Sequence, residues 1–225
     1  MPANWEQKEE FEDFVEHTYD FADAQALDVD TLIHEHGAAQ LEINFNHGDP
    51  LDMADQVFVF KRTVRDTAQR HNMYATFMAK PMQKEPGSAL HIHQSILSLE
   101  TGKNIFNGPD DEPTAELMHY IAGLQRYTPD LISFYAPNVN SYRRLAPDIS
   151  APINLSWGYD NRTTAFRVPD STPENRRVEN RFPGADANPY LAIAASLASG
   201  LLGLEHNLQP TAPHQGTAND DNIEV

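Results

Sequence analysis

The chain has 225 residues, no cysteine and a formal net charge of −17, from 33 Asp and Glu against 16 Lys and Arg. The lack of cysteine excludes disulfides, cysteine nucleophiles and thiolate metal sites, and the acidic charge disfavours nucleic acid as a partner. No run of about 18 apolar residues occurs and the acidic residues 1–10 are not typical of a secretory signal, so we expect a cytoplasmic protein without a membrane span.

The N-terminal third predicts two helices around a half-buried strand. Residues 5–26, rich in Glu and Phe, are typical of a helix. The segment 40–46 alternates polar and apolar residues and predicts a strand with one buried face. Asp49 and Pro50 suit a helix N-cap and first turn, and apolar residues then recur at helical spacing to about Arg70.

The middle third predicts strands, a loop and a helix. Residues 74–79 and 88–97 are expected to be strands, and residues 101–113 a loop because they are rich in Gly and Pro. A helix is predicted at about 114–127, ending before Pro129, with a second short helix after it.

The last third predicts three strands and a helix. Residues 152–157 and 163–168 suggest two paired strands joined by a turn, and residues 176–182 a further strand. Asn188 is expected to cap a final helix that is apolar nearly all round and therefore buried. Residues 207–225 are polar and aperiodic, so we expect a disordered tail.

This order of elements predicts an α+β fold with an antiparallel sheet and flanking helices, because strands follow one another and helices are interspersed irregularly. We expect a helical lead-in at residues 1–27, a main domain at 28–206 and the polar tail at 207–225.

Charged and titratable side chains occupy three strand faces where apolar residues are expected. They are Glu42, with Glu35 just before the first strand; His91, His93 and Ser95; and Arg177, Glu179 and Arg181. Burying one uncompensated charge costs on the order of several kcal/mol. Three such faces therefore indicate a shared polar cavity.

The arginines concentrate late in the chain, between residues 143 and 181, and in an acidic chain this indicates a site for an anion. Oxygen ligands with an imidazole suit Mg²⁺ or Mn²⁺, and arginines hold phosphate and carboxylate groups bidentately. Metal plus arginines is typical of phosphoryl transfer. The arginines are Arg143, Arg144, Arg162, Arg167, Arg176, Arg177 and Arg181.

Each group has a plainer explanation when it is taken alone. Glu35 and Glu42 could be solubilising residues at a sheet edge, and His91 and His93 could lie on a solvated face. Residues 176–181 could form an exposed salt-bridge ladder. The spacing alone leaves the reaction unnamed.

Five segments resemble, in order, the glutamine synthetase family over about residues 28–206. Residues 34–42 (HEHGAAQLE) are similar to its segment with two metal-binding glutamates, and 80–95 to its ATP-binding signature. Residues 140–145 (NSYRRL) resemble its glutamate-binding segment, and residues 161–167 and 177–183 its arginine-bearing segments. The resemblance implies the fold of a glutamine synthetase catalytic domain.

The resemblance also implies an ATP-dependent ligase that joins the γ-carboxylate of glutamate to an amine through γ-glutamyl phosphate, with Mg²⁺ or Mn²⁺. The implied roles are metal binding for Glu35 and Glu42, and for His91 and Glu179; ATP binding for His93, Ser95, Arg167 and Arg177; charge neutralisation in phosphoryl transfer for Arg162 and Arg177; and glutamate binding for Gly87, Arg144 and Arg181.

Residues 142–145 and 151–162 resemble the γ-glutamylputrescine and polyamine synthetase branch of the family. Ser150 stands where glutamine synthetases have a glutamate that helps to take a proton from ammonium, and Glu174 replaces a lysine on the nucleotide side of some members. The resemblance thus favours a polyamine such as putrescine as substrate. Glutamine synthetase activity with ammonia, or an inactive remnant that binds only nucleotide or a full-length partner, are the alternatives.

The family's small β-rich domain and its strand with two further metal glutamates have no counterpart before residue 28, and its last helices have none at the C-terminal end. We therefore expect a partial catalytic domain. It would act as a homo-oligomer or with a chain that carries the missing N-terminal domain.

Overall fold

The computed structural model describes residues 5–147 and 151–218, and the chain divides into two compact units between Phe77 and Met78. Each unit has its own apolar core. The mixture of helices and two small sheets confirms the predicted α+β class.

The first unit packs a two-stranded hairpin and two helices around a core that contains Phe14, Phe60 and Val64. Asp49 accepts a hydrogen bond from the backbone N–H of Leu51 at 2.9 Å and so caps the second helix, as predicted. The elements are α1 (Trp5–Ala24), β1 (Val29–His34), β2 (Leu41–Phe45) and α2 (Pro50–Arg70).

Strand β1 is absent from the sequence prediction, and it changes the placement of Glu35. β1 and β2 pair antiparallel, so Glu35 follows a strand instead of preceding the first one. A register shift between Val29 and Thr31 breaks the alternation of β1, which hides its period of two.

The strand expected at residues 74–79 is wrong, because this segment joins neither sheet. Exposed residues do alternate with covered ones, and Ala75 and Phe77 pack on the core of the first unit. The alternation arises because the segment is extended and covered on one side. An extended segment of this kind does not need to pair with another strand.

The described residues of the second unit form a four-stranded sheet and three α-helices. The elements are β3 (Ile92–Gln94), α3 (Ala115–Tyr135), α4 (Val139–Tyr142), β4 (Trp157–Tyr159), β5 (Phe166–Val168), β6 (Val178–Asn180) and α5 (Pro189–Glu205). The strand order in the sheet is β3-β6-β5-β4. β6 pairs antiparallel with β3 and β5, whereas β5 and β4 are parallel.

The start of the turn predicted at residues 158–161, between the strands expected at 152–157 and 163–168, is wrong, because Gly158 and Tyr159 belong to β4 itself. A Cβ atom on Gly158 would lie 2.9 Å from the carbonyl oxygen of His214. This glycine therefore permits the close approach of another segment, and its presence did not mark a turn.

Helix α3 continues through Pro129, so the predicted helix end is wrong. Internal proline removes a hydrogen bond and costs on the order of 3 kcal/mol. Packing of buried residues on both sides of it, such as Leu124 and Tyr135, outweighs this cost.

Helix α5 begins where predicted, with Asn188 accepting hydrogen bonds from the backbone N–H groups of Tyr190 and Leu191. The expectation that it is buried all round is wrong, because Leu191 and Leu201 are each 49% exposed. Only the face with small residues, including Ser199 and Gly203, is covered.

The disordered tail expected from residue 207 is wrong for residues 207–218, which we call the C-terminal strap. Its backbone is tied down through His214, whose N–H donates to the carbonyl of Trp157 at 2.7 Å, and Ala218, whose carbonyl accepts from Asn154 at 2.8 Å. Ala218 is fully buried. Residues 219–225 of the expected tail lie outside the described residues, as does Ser150.

Within residues 5–147 and 151–218, the longest helices are too polar to cross a membrane.

We expect Gly203→Ala to lower the free energy of unfolding by about 1–3 kcal/mol, because the new methyl group would overlap the carbonyl oxygen of His119 on α3. Ala198→Leu, on the exposed face of the same helix, should change it by less than about 0.5 kcal/mol. Urea titration of both variants measures the difference, and equal effects would contradict the close packing of α3 on α5.

Candidate active site

The carboxylate of Glu179, in the middle of β6, is the centre of a charged cluster. The sheet register sets His93 opposite it on β3 and Arg167 opposite it on β5. Cross-strand partners share one face of a sheet, so the ladder itself brings these three side chains together. The predicted common face of Arg177, Glu179 and Arg181 adds two more cations.

Glu179 is nearly inaccessible, with 3% of its side chain exposed, and each carboxylate oxygen accepts from an arginine. Arg181 Nη1 donates to Oε1 at 2.9 Å, and Arg167 Nη1 donates to Oε2 at 3.0 Å. Burial raises the pKa of Glu179, but attraction from His91, Arg181 and the other neighbours outweighs burial and lowers the pKa to about 2. Glu179 is therefore ionised at neutral pH.

Two imidazoles approach the same carboxylate. His91 Nδ1 lies 3.2 Å and His93 Nε2 lies 3.9 Å from Oε1 of Glu179. Burial lowers the pKa of His91 to about 3, with repulsion from Arg181 against attraction from Glu179; burial likewise lowers the pKa of His93. Both rings are neutral at pH 7. The attraction from His91 therefore acts only at low pH, where its ring is charged, and at neutral pH Arg181 and Arg167 keep Glu179 ionised.

Further predicted site residues border this cluster. Arg177 donates from Nε to Nδ1 of His93 at 3.1 Å. Ser95 is exposed two residues after His93 on the same strand face. Arg162 is exposed in the turn after β4. The pKa of Asp160 is lowered mainly by Arg167 and to a smaller extent by the charge of Arg162. The contacts among the described residues do not join Ser95 or Arg162 to Glu179.

Arg144 and Gly87, both predicted to bind glutamate, lie against each other. Nη2 of Arg144 donates to the carbonyl oxygens of residues 181–183 at 2.8–3.2 Å, while its Nε and Nη1 are buried without a hydrogen-bond partner. A Cβ on Gly87 would lie 2.6 Å from Cγ of Arg144. Burial, with Arg181, lowers the pKa of Arg144 to about 10, which leaves it charged at neutral pH.

A buried polar network on the opposite face of the sheet fixes these strands. Gln94 of β3 donates to Ser196 Oγ at 2.8 Å, and Asn180 of β6 donates to the same oxygen at 2.9 Å. The Tyr120 hydroxyl donates to Gln94 at 2.7 Å. Helices α3 and α5 thus anchor the residues directly adjacent to His93 and Glu179.

Glu35 and Glu42 lie in the first unit, on one face of the β1–β2 hairpin. Glu42 is opposite Ile33, so Glu35, two residues after Ile33, is its diagonal neighbour. Glu42 Oε1 accepts from Asn44 Nδ2 at 3.2 Å, and Glu35 Oε2 lies 3.3 Å from His36 Nδ1. The polar face that the sequence predicts for β2 is present.

The donor set around Glu179 fits a hard divalent cation only in part. Neutral imidazole and carboxylate oxygen are suitable ligand types. However, the part of the chain that is described contains no group of three or more His, Asp or Glu arranged to hold an ion. Arg167 and Arg181 occupy both oxygens of Glu179. An ion could bind there only if these guanidinium groups gave up contacts, for example to ligand oxyanions.

Sequence reasoning missed two carboxylates next to the site. Asp160 contacts Arg167, and Asp186 accepts from Ser141 Oγ at 2.6 Å. Asp160 falls in what resembled a loop, and no alternation marked it. Asp186 follows a Pro-Gly pair, Pro183 and Gly184, and has no periodic neighbours.

Comparison with known proteins identifies the relatives of this chain. The family model described as "Glutamine synthetase, catalytic domain" matches residues 3–224. A glutamate–isopropylamine ligase of Pseudomonas sp is 44% identical over 186 residues, which are 82% of this chain and 40% of that protein. A glutamine synthetase of Pyrococcus abyssi is 42% identical over 183 residues, 81% of this chain and 41% of that protein.

The gamma-glutamylputrescine synthetase PuuA of Escherichia coli is 41% identical over 199 residues, 88% of this chain and 42% of that protein. A solved structure titled "Apo GmaS without ligand" superposes with a TM-score of 0.79 at 32% identity, and covers 90% of this chain and 46% of that chain. The chain therefore spans about 40% of the length of the curated relatives it matches.

We expect Glu179→Ala to lower the free energy of unfolding by about 3–5 kcal/mol, because it removes the carboxylate that compensates two largely buried guanidinium groups. Asp130→Ala is the control. Asp130 is 73% exposed and lies 3.9 Å from Arg126, so its loss should cost about 0.5 kcal/mol or less. Chemical unfolding measures both, and a small effect at Glu179 would contradict the compensating role.

Proposed function

Because the chain belongs to the glutamine synthetase catalytic-domain family, we propose that it carries the larger part of an ATP-dependent ligase site. The ligase would join the γ-carboxylate of glutamate to an amine through γ-glutamyl phosphate. A polyamine such as putrescine is the proposed amine. The observation that carries the proposal is the buried Glu179 carboxylate between two guanidinium groups and two neutral imidazoles.

The arginines around Glu179 outnumber the carboxylates there, and this local positive charge suits phosphoryl transfer. The γ-carboxylate oxygen is a poor leaving group until it is phosphorylated, and negative charge accumulates on the transferring phosphoryl oxygens. Arg162 and Arg177 are proposed to neutralise that charge, and Arg177 and Arg167, with His93 and Ser95, to bind ATP. Arg162 lies in the turn between β4 and β5, and the others lie on or beside β3, β5 and β6.

Glutamate is proposed to bind at Arg144, Arg181 and the backbone of Gly87. Arg144 keeps its charge and has two buried nitrogens without partners, which favours a carboxylate ligand because unpaired buried donors are costly. Since Arg144 is 4% exposed, glutamate can reach these nitrogens only if residues that cover the side chain move.

Mg²⁺ or Mn²⁺ is the proposed cofactor, with His91 and Glu179 holding one ion and Glu35 and Glu42 another. A bound ion would supply charge neutralisation for the phosphate oxygens. Its binding at Glu179 would be coupled to nucleotide, because phosphate oxygens can replace the carboxylate as partners of Arg167 and Arg181.

The charge of the protein supports a polyamine over ammonia, while the relatives include both amine ligases and glutamine synthetases. The net charge of −17 attracts a polycation, and two of the compared enzymes are named for organic amines. Glutamine synthetase activity with ammonia is the alternative within the same chemistry. The remaining alternative is a chain that binds only nucleotide or a full-length partner.

We also propose that the protein works in the cytoplasm as a homo-oligomer or together with a chain that carries further parts of the site. Lack of cysteine is compatible with that compartment.

We expect phosphate release from ATP that requires glutamate, Mg²⁺ and an amine. Arg162→Ala should lower the rate by at least about 100-fold, because it removes a cation that acts on the transferring phosphoryl group. Arg126→Ala, an exposed arginine on α3, is the control and should leave the rate unchanged. Lack of turnover with putrescine, spermidine and ammonia would leave the nucleotide-binding alternative.

We expect kcat/KM for putrescine to exceed kcat/KM for ammonia in the same assay. The physical reason is the attraction of a dication to an acidic protein, so the advantage should shrink as salt is added. A preference for ammonia at every ionic strength would overturn the polyamine assignment while leaving the ligase chemistry intact.

A further inference from the structure

Asp160 has an unusual backbone and an exposed carboxylate directed at Arg167. Its φ angle is 42°, in the left-handed region that Asp and Asn adopt more readily than most residues. Its N–H donates to the carbonyl of Val168 at 2.9 Å, which fixes the end of β4 against β5. The backbone of Asp160 is therefore fixed in position, although 60% of its side chain is exposed.

Arg167 is held by two carboxylates at once. Its Nε donates to Oδ1 of Asp160 at 3.2 Å and its Nη2 donates to the same oxygen. Nη1 donates to Oε2 of Glu179 at 3.0 Å. A guanidinium group has five N–H bonds, and these contacts use three of them. One N–H on each terminal nitrogen is left for a ligand.

The two carboxylates differ in their surroundings, and this difference divides their roles. Glu179 is buried and shared with Arg181, so it anchors the inner end of Arg167. Asp160 lies at the exposed side and grips the edge formed by Nε and Nη2. Without Asp160, the guanidinium group would keep one contact and could rotate about it.

We propose that Asp160 is a positioning residue that orients Arg167 toward the phosphates of the nucleotide. The proposal rests on the proposed function, because it requires ATP to bind beside Arg167. It adds a residue outside the set predicted from the sequence, and it gives the left-handed backbone at Asp160 a role in ligand binding. The negative charge of Asp160 acts through Arg167 and does not touch the nucleotide.

The test compares the dissociation constants of ATP and adenosine for the full chain, measured by calorimetry with Mg²⁺. Asp160→Asn keeps the shape and the left-handed backbone but removes the charge. It should weaken ATP binding on the order of three- to tenfold and leave adenosine binding unchanged. Asp130→Asn, the same charge change at an exposed residue on α3, is the matched control and should alter neither constant.

A double-mutant cycle separates positioning from a structural effect. In an Arg167→Lys background, Asp160→Asn should no longer change the affinity for ATP, because the edge that Asp160 grips is gone. Equal weakening of ATP and adenosine, or an undiminished effect in the Arg167→Lys background, would overturn the proposal.

Two further outcomes have distinct meanings. If the unaltered chain binds ATP no better than adenosine, the proposed function fails at this site. If it prefers ATP and Asp160→Asn keeps that preference in full, the role of Asp160 fails and the proposed function stands. Should Asp160→Asn not fold, Asp160→Gly also accepts the left-handed backbone, and the same loss of ATP affinity is expected.

Discussion

A single buried carboxylate determines how the charged face of the second unit is arranged. Glu179 faces Arg167 across one ladder and His93 across the other, and Arg181 follows it on its own strand. Without that negative charge, two guanidinium groups with little access to water would repel each other. The neutral imidazoles add no charge, so the balance depends on carboxylate and arginine alone.

The support for this arrangement comes from the opposite side of the sheet. Ser196 on α5 accepts from Gln94 and Asn180, which neighbour His93 and Glu179 in sequence. A fully satisfied buried network fixes strand register more strictly than apolar packing does, because each polar group has few acceptable partners. The contacts on the covered face of the sheet therefore fix the positions of β3 and β6, and these positions determine where the charged side chains on the other face lie.

How far the sequence predicts this structure depends on whether a feature is local. Capping by Asp49 and Asn188 was predictable because a cap involves residues a few positions apart. The shared faces of His91 with His93, and of Arg177 with Glu179 and Arg181, followed from strand alternation. The charged faces indicated a shared polar cavity, but the convergence of His91, His93 and Arg181 on Glu179 depends on which strands pair, and alternation alone does not specify that.

Features set by distant contacts escaped prediction. Pro129 suggested a helix end, but packing of α3 on α5 carries the helix through it. Gly158 suggested a turn, but the strap residue His214 requires it. Asp160 gave no periodic signal because its role depends on β4 running parallel to β5. That Glu35 and Glu42 bind a metal ion stays a prediction.

The C-terminal strap has a consequence for the behaviour of the chain in solution. β4 is the last strand in its sheet, and the strap's hydrogen bond from His214 covers part of its open backbone edge. Uncovered edges pair readily with other chains and lead to aggregation. A shortened form that ended at α5 would therefore expose the unpaired backbone edge of β4, so the strap protects the molecule against aggregation through that edge.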